Sequence, residues 1–330
     1  MNSVFHIISG KRTVSVLMQA MRMDLEPYFS LFPKLQLPFF EERIKILIDL
    51  NLLDSQYQLT ANGAQNKTAY FTTHTRPNKK ERLKYQAILS LFKARSLFLT
   101  QVLSERAHSN KKYYPIQPRL LEQRWLKTFL KEHNLAETSR SHAFGEEWLR
   151  ILAEPEIGDP TIFVEQIEGY HKTKLTNNQI SDKYESDTTE VYVKLQQDWI
   201  QILVIIQDNT ETYPLFSALL DELIKGAGLC SESARETYHV WAEGHAIAQI
   251  SDRRKLKQST INDHLTEMAI LYATFPYGDF LSEAQLAYVD SKIAEGKSLD
   301  YQAIQQTFPD ISFFQSRLMQ VRGEVRHDGE

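Results

Sequence analysis

Apolar residues recur three and four positions apart along almost the whole chain, and this spacing limits the fold more than any other feature. The clearest stripes are Leu17, Met18, Met21 and Leu25; Phe40, Ile44, Leu47, Ile48 and Leu52; Leu83, Ala87, Leu91 and Ala94; and Val191, Leu195, Trp199, Ile202 and Ile206. Only a helix brings residues at this spacing to one face. With 12 Gly and 11 Pro in 330 residues, the chain also has few turn formers for an all-β fold. We therefore predict a mostly α protein built from several helical modules.

The sequence has one cysteine, Cys230, so it cannot form an internal disulfide or a cysteine-rich zinc site. Its longest apolar run, Ile200–Ile206, is interrupted by a glutamine and is far shorter than the roughly 20 residues of a membrane span. The first ten residues lack the pattern of a signal peptide. These features predict a cytoplasmic protein that does not associate with membranes.

Charge is distributed unevenly along the chain. The net charge is −4, yet Lys67–His133 contains nine Lys and six Arg against four Glu and no Asp, which is a net charge of +11. A basic block of this size can attract nucleic acid or an acidic partner. It can equally consist of lysines and arginines on the solvated faces of helices, and the sequence does not decide between these interpretations.

Residues 1–66 have the order of elements of a winged helix. A first helix, a short helix at Leu25–Leu31 and a longer helix at Pro38–Leu53 precede Asp54–Gly63, an alternating polar and apolar stretch that ends in an Asn-Gly turn signal. The helix in the reading position starts with Phe39 and Phe40 followed by Glu41 and Glu42, and these two carboxylates would repel phosphate. We therefore favour protein docking or a structural role for this module, with DNA reading as the alternative.

Residues 67–160 form the basic helical region, and residues 161–230 contain a second pattern like a helix-turn-helix. In the second pattern Thr176 can cap a helix together with Gln179, and a third helix begins near Asp187. The acidic start of this third helix is unfavourable for approaching phosphate. We expect its apolar face, including Trp199, to pack in a core.

Residues 231–330 give the sharpest pattern, a helix-turn-helix domain. Ser233–Gly244 is a first helix with the glycine as its stop, Ala246–Arg254 is a short second helix, and Lys255–Gln258 is the turn. Ser259 or Thr260 can cap the third helix, which buries Ile261, Leu265 and Met268. The candidate DNA-contacting residues are Arg253, Arg254, Lys255, Lys257, Gln258, Ser259, Thr260, Asn262 and Asp263. Such residues can hold phosphates and reach base edges, although a solvated turn has the same composition.

Glu243–Glu267 resembles the helicase-type helix-turn-helix at the C-terminus of RecQ-type helicases, and Ser298–Leu318 resembles the closing helix pair of that module. Together with Ile8–Thr13 and Gly169–Ile180, these segments make the chain similar to the bacterial YpbB-like proteins. Members lack a helicase motor and are thought to act beside a separately encoded RecQ-like helicase. The resemblance therefore implies an accessory subunit. One departure is Ser251, where such modules often have alanine, and this residue should weaken helix packing slightly.

No segment has the pattern of an active site. Gly10–Thr13 lacks the upstream glycine of a phosphate-binding loop and has Arg12 where Ser or Thr should follow the lysine. His239 and His245 lack the spacing of a zinc site, and for His264 we expect a surface or groove contact. We therefore predict a protein that is not an enzyme and needs no cofactor, metal or small-molecule substrate.

The predicted function is an accessory role with a RecQ-like DNA helicase in DNA repair or recombination, with the C-terminal helix-turn-helix contacting DNA. One alternative is a helix-turn-helix transcription regulator. The other is a protein–protein adaptor in which the helix-turn-helix units are only structural.

Overall fold

The computed structural model describes the backbone of residues 1–135 and 138–327, and the side chains of these residues except 138–141, 326 and 327. The expected segments 67–160 and 231–330 each include a few residues outside these ranges. Within them the chain forms seventeen α-helices and no β-strand, so the prediction of a mostly α fold is confirmed. The helices are α1 Asn2–Ser9, α2 Val14–Arg22, α3 Leu37–Asp49, α4 Ala61–Tyr70, α5 Glu81–Ala107, α6 Leu120–Glu132, α7 Thr138–Ala153, α8 Thr161–Val164, α9 Asn177–Lys183, α10 Thr188–Asp208, α11 Pro214–Gly226, α12 Glu232–Ala242, α13 Ile247–Arg254, α14 Gln258–Leu271, α15 Glu283–Ala294, α16 Tyr301–Thr307 and α17 Phe313–His327.

The helices belong to two units. The terminal unit consists of Met1–Pro33 together with the described residues after Gly226, and the central unit is Lys34–Gly226. We expected residues 1–66 to form one module, whereas the structure separates 1–33 from 34–66. The reason is that α2 packs against α14 and α17, so its buried apolar stripe completes the core of the C-terminal helices.

The segment predicted as a hairpin wing forms a tight turn closed by a single antiparallel bridge between Leu53 and Leu59, and a capped helix follows it. Asp54 accepts hydrogen bonds at one carboxylate oxygen from the backbone N–H groups of Gln56 and Gln58, both at 2.8 Å. Thr60 then caps α4 by accepting from the Gly63 N–H at 2.9 Å. A side chain at Gly63 would meet the carbonyl oxygen of Leu52 at 1.9 Å, which explains why this position in the helix is a glycine. The Asn-Gly pair therefore lies inside a helix, and no winged helix is formed.

The core of the central unit is a cluster of aromatic rings contributed by α5, α7, α8, α10 and α11. Its members are Phe92, Phe144, Trp148, Phe163, Trp199 and Phe216, whose neighbouring ring centroids lie 4.5 to 6.3 Å apart. Both indoles donate hydrogen bonds, Trp148 to Thr100 at 2.8 Å and Trp199 to Gln166 at 3.3 Å. The prediction of Trp199 as a core residue is confirmed. Such rings dominate core energetics because each buries a large apolar area.

Helix α5 passes through this core, and its buried face differs from the one predicted. Leu83 is buried as expected, but Ala87 is exposed, and the buried positions continue through Ile88, Phe92 and Leu99. The predicted apolar stripe does not match the buried face because α5 is covered on more than one side, by α7, α10 and α11. Within the described ranges, α5 is also the one helix long and apolar enough to cross a membrane. Half of its apolar window is buried within the protein, where α5 contributes Phe92 to the aromatic core.

The predicted caps of the second helix-turn-helix-like segment are present. Thr176 and Gln179 form a reciprocal capping box at the start of α9. Asp187 caps α10 by accepting from the backbone N–H groups of Thr189 and Glu190, at 2.8 and 3.0 Å. Glu190 in turn accepts from the backbone N–H and hydroxyl of Thr75. The acidic start of α10 therefore stabilises the helix and its neighbouring loop.

Candidate nucleic-acid interface

Helices α12, α13 and α14 form the helix-turn-helix. Ile250 of α13 and Ile261 and Leu265 of α14 are fully buried where the three helices meet. Gly244 has a φ of 90° and ends α12 as expected, its N–H donating to the Trp241 carbonyl at 2.8 Å. The short α13 and the tight turn after it then direct α14 across the other two helices. The order of the three helices is the one that the sequence predicted, and Ile261, Leu265 and Met268 of α14 are buried as predicted.

The turn between α13 and α14 is fastened by a side chain. Lys255 adopts a left-handed conformation with a φ of 53°. The Ser251 hydroxyl donates to the Leu256 carbonyl at 2.5 Å, and the Leu256 N–H donates to the Ser251 carbonyl at 3.1 Å. Ser251, expected to weaken the packing, therefore adds a hydrogen bond that alanine could not make.

Helix α14 begins earlier than the predicted caps. Lys257 occupies the N-cap position and makes no side-chain cap, so Ser259 and Thr260 lie inside the first turn. Because the first N–H groups of a helix have no partner within it, this end carries partial positive charge. Gln258 and Ser259 are exposed beside it, and Thr260 is half-buried.

The four cations of the turn have different surroundings. Arg254 is only 13% exposed and joins α13 to α12, donating to the Ser233 carbonyl, the Thr237 hydroxyl and, at 2.5 Å, to Glu236. Arg253 is exposed and pairs with Glu243 at 3.0 Å. Lys255 and Lys257 are exposed and form no ion pair with any residue that the structure describes. From the sequence all four cations were taken as equally available to DNA, but Arg253 and Arg254 form ion pairs within the protein.

The remaining predicted residues lie further along α14. Asn262 is half-buried, and Asp263 is exposed with a carboxylate oxygen 3.9 Å from the guanidinium of Arg317. His264 is half-buried, with Nδ1 2.7 Å from the Thr237 hydroxyl. Burial first, and then the neighbouring Arg254 charge, lower the pKa of His264. A neutral, partly covered imidazole suits a packing role better than a phosphate contact.

The lowered pKa of His264 predicts a pH dependence of stability. Because the unfolded chain binds the proton near pH 6.5 and the folded chain only at lower pH, this contribution is complete above about pH 6.5 and is lost as the pH falls. We expect wild-type protein to lose more thermal stability between about pH 7.5 and 5.5 than His264→Asn, which keeps a polar group for Thr237. Equal losses in the two melting curves would contradict this assignment.

An ion pair that sequence reasoning missed fixes the N-terminal segment to this domain. Arg12 Nε lies 2.7 Å from Glu267 Oε1, and Arg12 also donates to the Leu229 carbonyl. Glu267 accepts from the Ser231 N–H at 2.9 Å and from its hydroxyl at 2.7 Å. No local sequence pattern predicts this contact, because its partners are 255 residues apart in sequence.

Comparisons with known proteins agree with this domain. Residues 233–320 match the family model of a helix-turn-helix domain. The whole chain is similar to Protein YpbB of Bacillus subtilis (strain 168), at 25% identity over 342 aligned residues that cover 99% of this chain and 94% of that protein. No solved structure matches the chain significantly. The chain therefore carries a helix-turn-helix domain and resembles one bacterial protein along nearly its full length.

Proposed function

We propose that this chain is a non-enzymatic, cytoplasmic DNA-binding protein that acts beside a RecQ-like helicase in DNA repair or recombination. The DNA-facing surface consists of Lys255, Lys257, Gln258 and Ser259. The observation that carries the proposal is the exposed lysine pair at the start of the third helix of a helix-turn-helix, where no described acid neutralises it.

This surface has the chemistry that duplex DNA requires. Lysines that neutralise phosphates release counterions and supply affinity, while short polar side chains in the first turn of a third helix can reach base edges in the major groove. The positive end of α14 adds to the attraction. Arg254 has a different role here, because it holds α13 to α12.

The helicase partner is supported by the resemblance of Glu243–Glu267 to the modules appended to RecQ-type helicases. A place for such a partner is available on α3, which has no buried residue. Phe39 and Leu47 are 49% and 36% exposed there, and Leu50 just beyond the helix is 59% exposed. Exposed apolar side chains grouped in this way are typical of protein-binding surfaces.

A second candidate function is a protein–protein adaptor that does not bind DNA. The engagement of Arg253 and Arg254 in ion pairs within the domain favours it, because it leaves only two unpaired lysines in the turn among the described residues. The exposed side chains of α3 fit both functions.

The partner is tested by purifying the tagged full-length chain from its native host and identifying what accompanies it. We expect a RecQ-type helicase, and we expect Leu50→Asp to reduce its recovery because a charge would replace an exposed apolar contact. Leu121→Asp is the matched control, since Leu121 is 73% exposed elsewhere in the central unit. A defined promoter fragment without a helicase would favour the regulator instead.

A further inference from the structure

Two loops of the central unit, which the helix-turn-helix does not explain, are joined at the end of α5. The first, residues 108–115, follows α5, and the second, residues 168–174, lies between α8 and α9. Gln101, which is 1% exposed, donates to the Tyr114 carbonyl and to the Glu168 carboxylate, both at 3.0 Å. Ser104 accepts from the Tyr170 N–H at 3.1 Å. The two loops are therefore held together by polar side chains of one helix, of which Gln101 is buried and Ser104 is half-buried.

Each loop also has a fixed internal shape. Asn110 donates to the Glu105 carboxylate at 2.6 Å and accepts from the Lys112 N–H at 3.0 Å. In the second loop, Gly169 and Lys172 exchange two backbone hydrogen bonds of 2.9 Å. A side chain at Gly169 would meet the Ser104 hydroxyl at 2.6 Å, so glycine is required for the close approach. These bonds hold the loops in a defined shape before any ligand arrives, which lowers the entropic cost of binding.

The joined loops present cations and aromatic rings together. Lys111, Lys112 and Lys174 are exposed and form no ion pair with a described residue. Tyr114 is 94% exposed, an unusual position for a residue with a large aromatic side chain. The rings of His108 and Tyr170 stack at 4.2 Å, which places a second flat surface where the loops meet.

Among the described residues, the neighbouring carboxylates form no ion pair with these three lysines. Glu105 is buried and bonded to Asn110, and Glu168 accepts from Gln101. Glu165 is engaged with Lys172 at 3.6 Å and Lys183 at 2.7 Å. The three lysines are therefore exposed and outside these contacts, while the carboxylates bond to groups that hold the loops.

An apolar groove of about 360 Å³ continues from His108 between α5 and α7. Its walls include Leu103, Ala107, Trp148 and Leu149. A groove of this kind can receive a flat base, whereas a base inside a duplex is stacked and paired.

We propose that these two loops form a binding surface for single-stranded nucleic acid, in which Lys111, Lys112 and Lys174 hold phosphates and Tyr114 stacks on a base. Stacking on aromatic rings together with a basic surface is the general means by which proteins bind single strands. This surface is separate in sequence and in structural unit from the helix-turn-helix, so the chain would have one surface for duplex and another for a single strand. An acidic peptide would use the lysines but would have little use for an exposed ring.

The test is fluorescence anisotropy of the full-length chain with a labelled oligothymidine of about 20 nucleotides and, separately, a duplex of similar length. Because stacking on one ring is worth a factor of roughly 5 to 150, Tyr114→Ala should weaken single-strand binding by that factor. Tyr114→Phe should restore it. Lys111→Glu/Lys112→Glu should weaken binding and lower the salt slope by about 1.4, whereas Lys127→Glu/Lys131→Glu, the same charge change on the exposed face of α6, should have a small effect.

Duplex binding should be unchanged in the Tyr114 variants, which separates this proposal from the one for the helix-turn-helix. The proposal is overturned if Tyr114→Ala binds the single strand as wild type does. It is also overturned if polyglutamate displaces the strand from wild type and binds equally to wild type and Tyr114→Ala, because the surface would then recognise acidic peptide. Tyr114 is almost fully exposed, so its replacement leaves the core intact, and circular dichroism checks this.

Discussion

Replacing Arg12 with alanine is expected to lower the free energy needed to open the terminal unit by about 3 kcal/mol, because a buried carboxylate loses its cationic partner. Glu267 is only 8% exposed, and its two oxygens otherwise accept from Ser231. Without the guanidinium, the negative charge stays in a site of low solvent access, and the Leu229 carbonyl loses a donor. Arg12 itself is 19% exposed, which places the effect at the lower end of the range for buried pairs.

Hydrogen exchange of the α14 amides, followed by mass spectrometry, measures this loss directly in a protein of two units. A change of about 3 kcal/mol corresponds to exchange that is roughly 150 times faster. Arg22→Ala is the matched control, since Arg22 is exposed on α2 and its loss should cost less than about 0.5 kcal/mol. Adding Glu267→Gln to the Arg12 variant should recover part of the stability, because the stranded charge is gone. Unchanged exchange in Arg12→Ala would show that this ion pair does not hold the segment.

The helix-turn-helix could be predicted from sequence because its determinants are local. The spacing of Ile250, Ile261 and Leu265 gives the buried face, and Gly244 ends the first helix where a left-handed residue is needed. Each of these signals depends on residues within a few turns of one another. The same holds for the Thr176 capping box in the central unit.

Predictions that depend on distant partners were less successful. The buried face of α5 is set by helices that approach it from different sides, so one stripe could not describe it. Asn62 and Gly63 carry a turn signal, yet the Thr60 cap and the approach of Leu52 place them in a helix. Counting charges gave the same weight to Arg254 and Lys257. In the structure the Arg254 side chain is 13% exposed and bonded to its neighbours, whereas Lys257 is exposed to solvent.

Replacing both lysines of the DNA-facing surface, Lys255→Ala/Lys257→Ala, is expected to weaken duplex binding about 30-fold at 0.15 M salt and to lower the salt slope by about 1.8. Each lysine that neutralises one phosphate releases about 0.9 of a counterion, and the two effects combine because both side chains are exposed. The measurement is anisotropy of a labelled duplex over a range of salt concentrations. Lys11→Ala/Lys297→Ala removes two exposed lysines from the same unit and should change neither quantity appreciably.

Replacing the lysines and not the arginines allows a loss of binding to be assigned to a lost DNA contact. Arg254→Ala would also weaken binding, but by separating α13 from α12, since its guanidinium bonds to Ser233, Glu236 and Thr237. Such a loss would not distinguish a DNA contact from a damaged fold. Lys255 and Lys257 make no comparable contacts with the described residues, so their replacement changes the surface charge alone. If their removal leaves the salt slope as it was, α14 is not the part of this chain that meets phosphate, and the adaptor function becomes the better account of the domain.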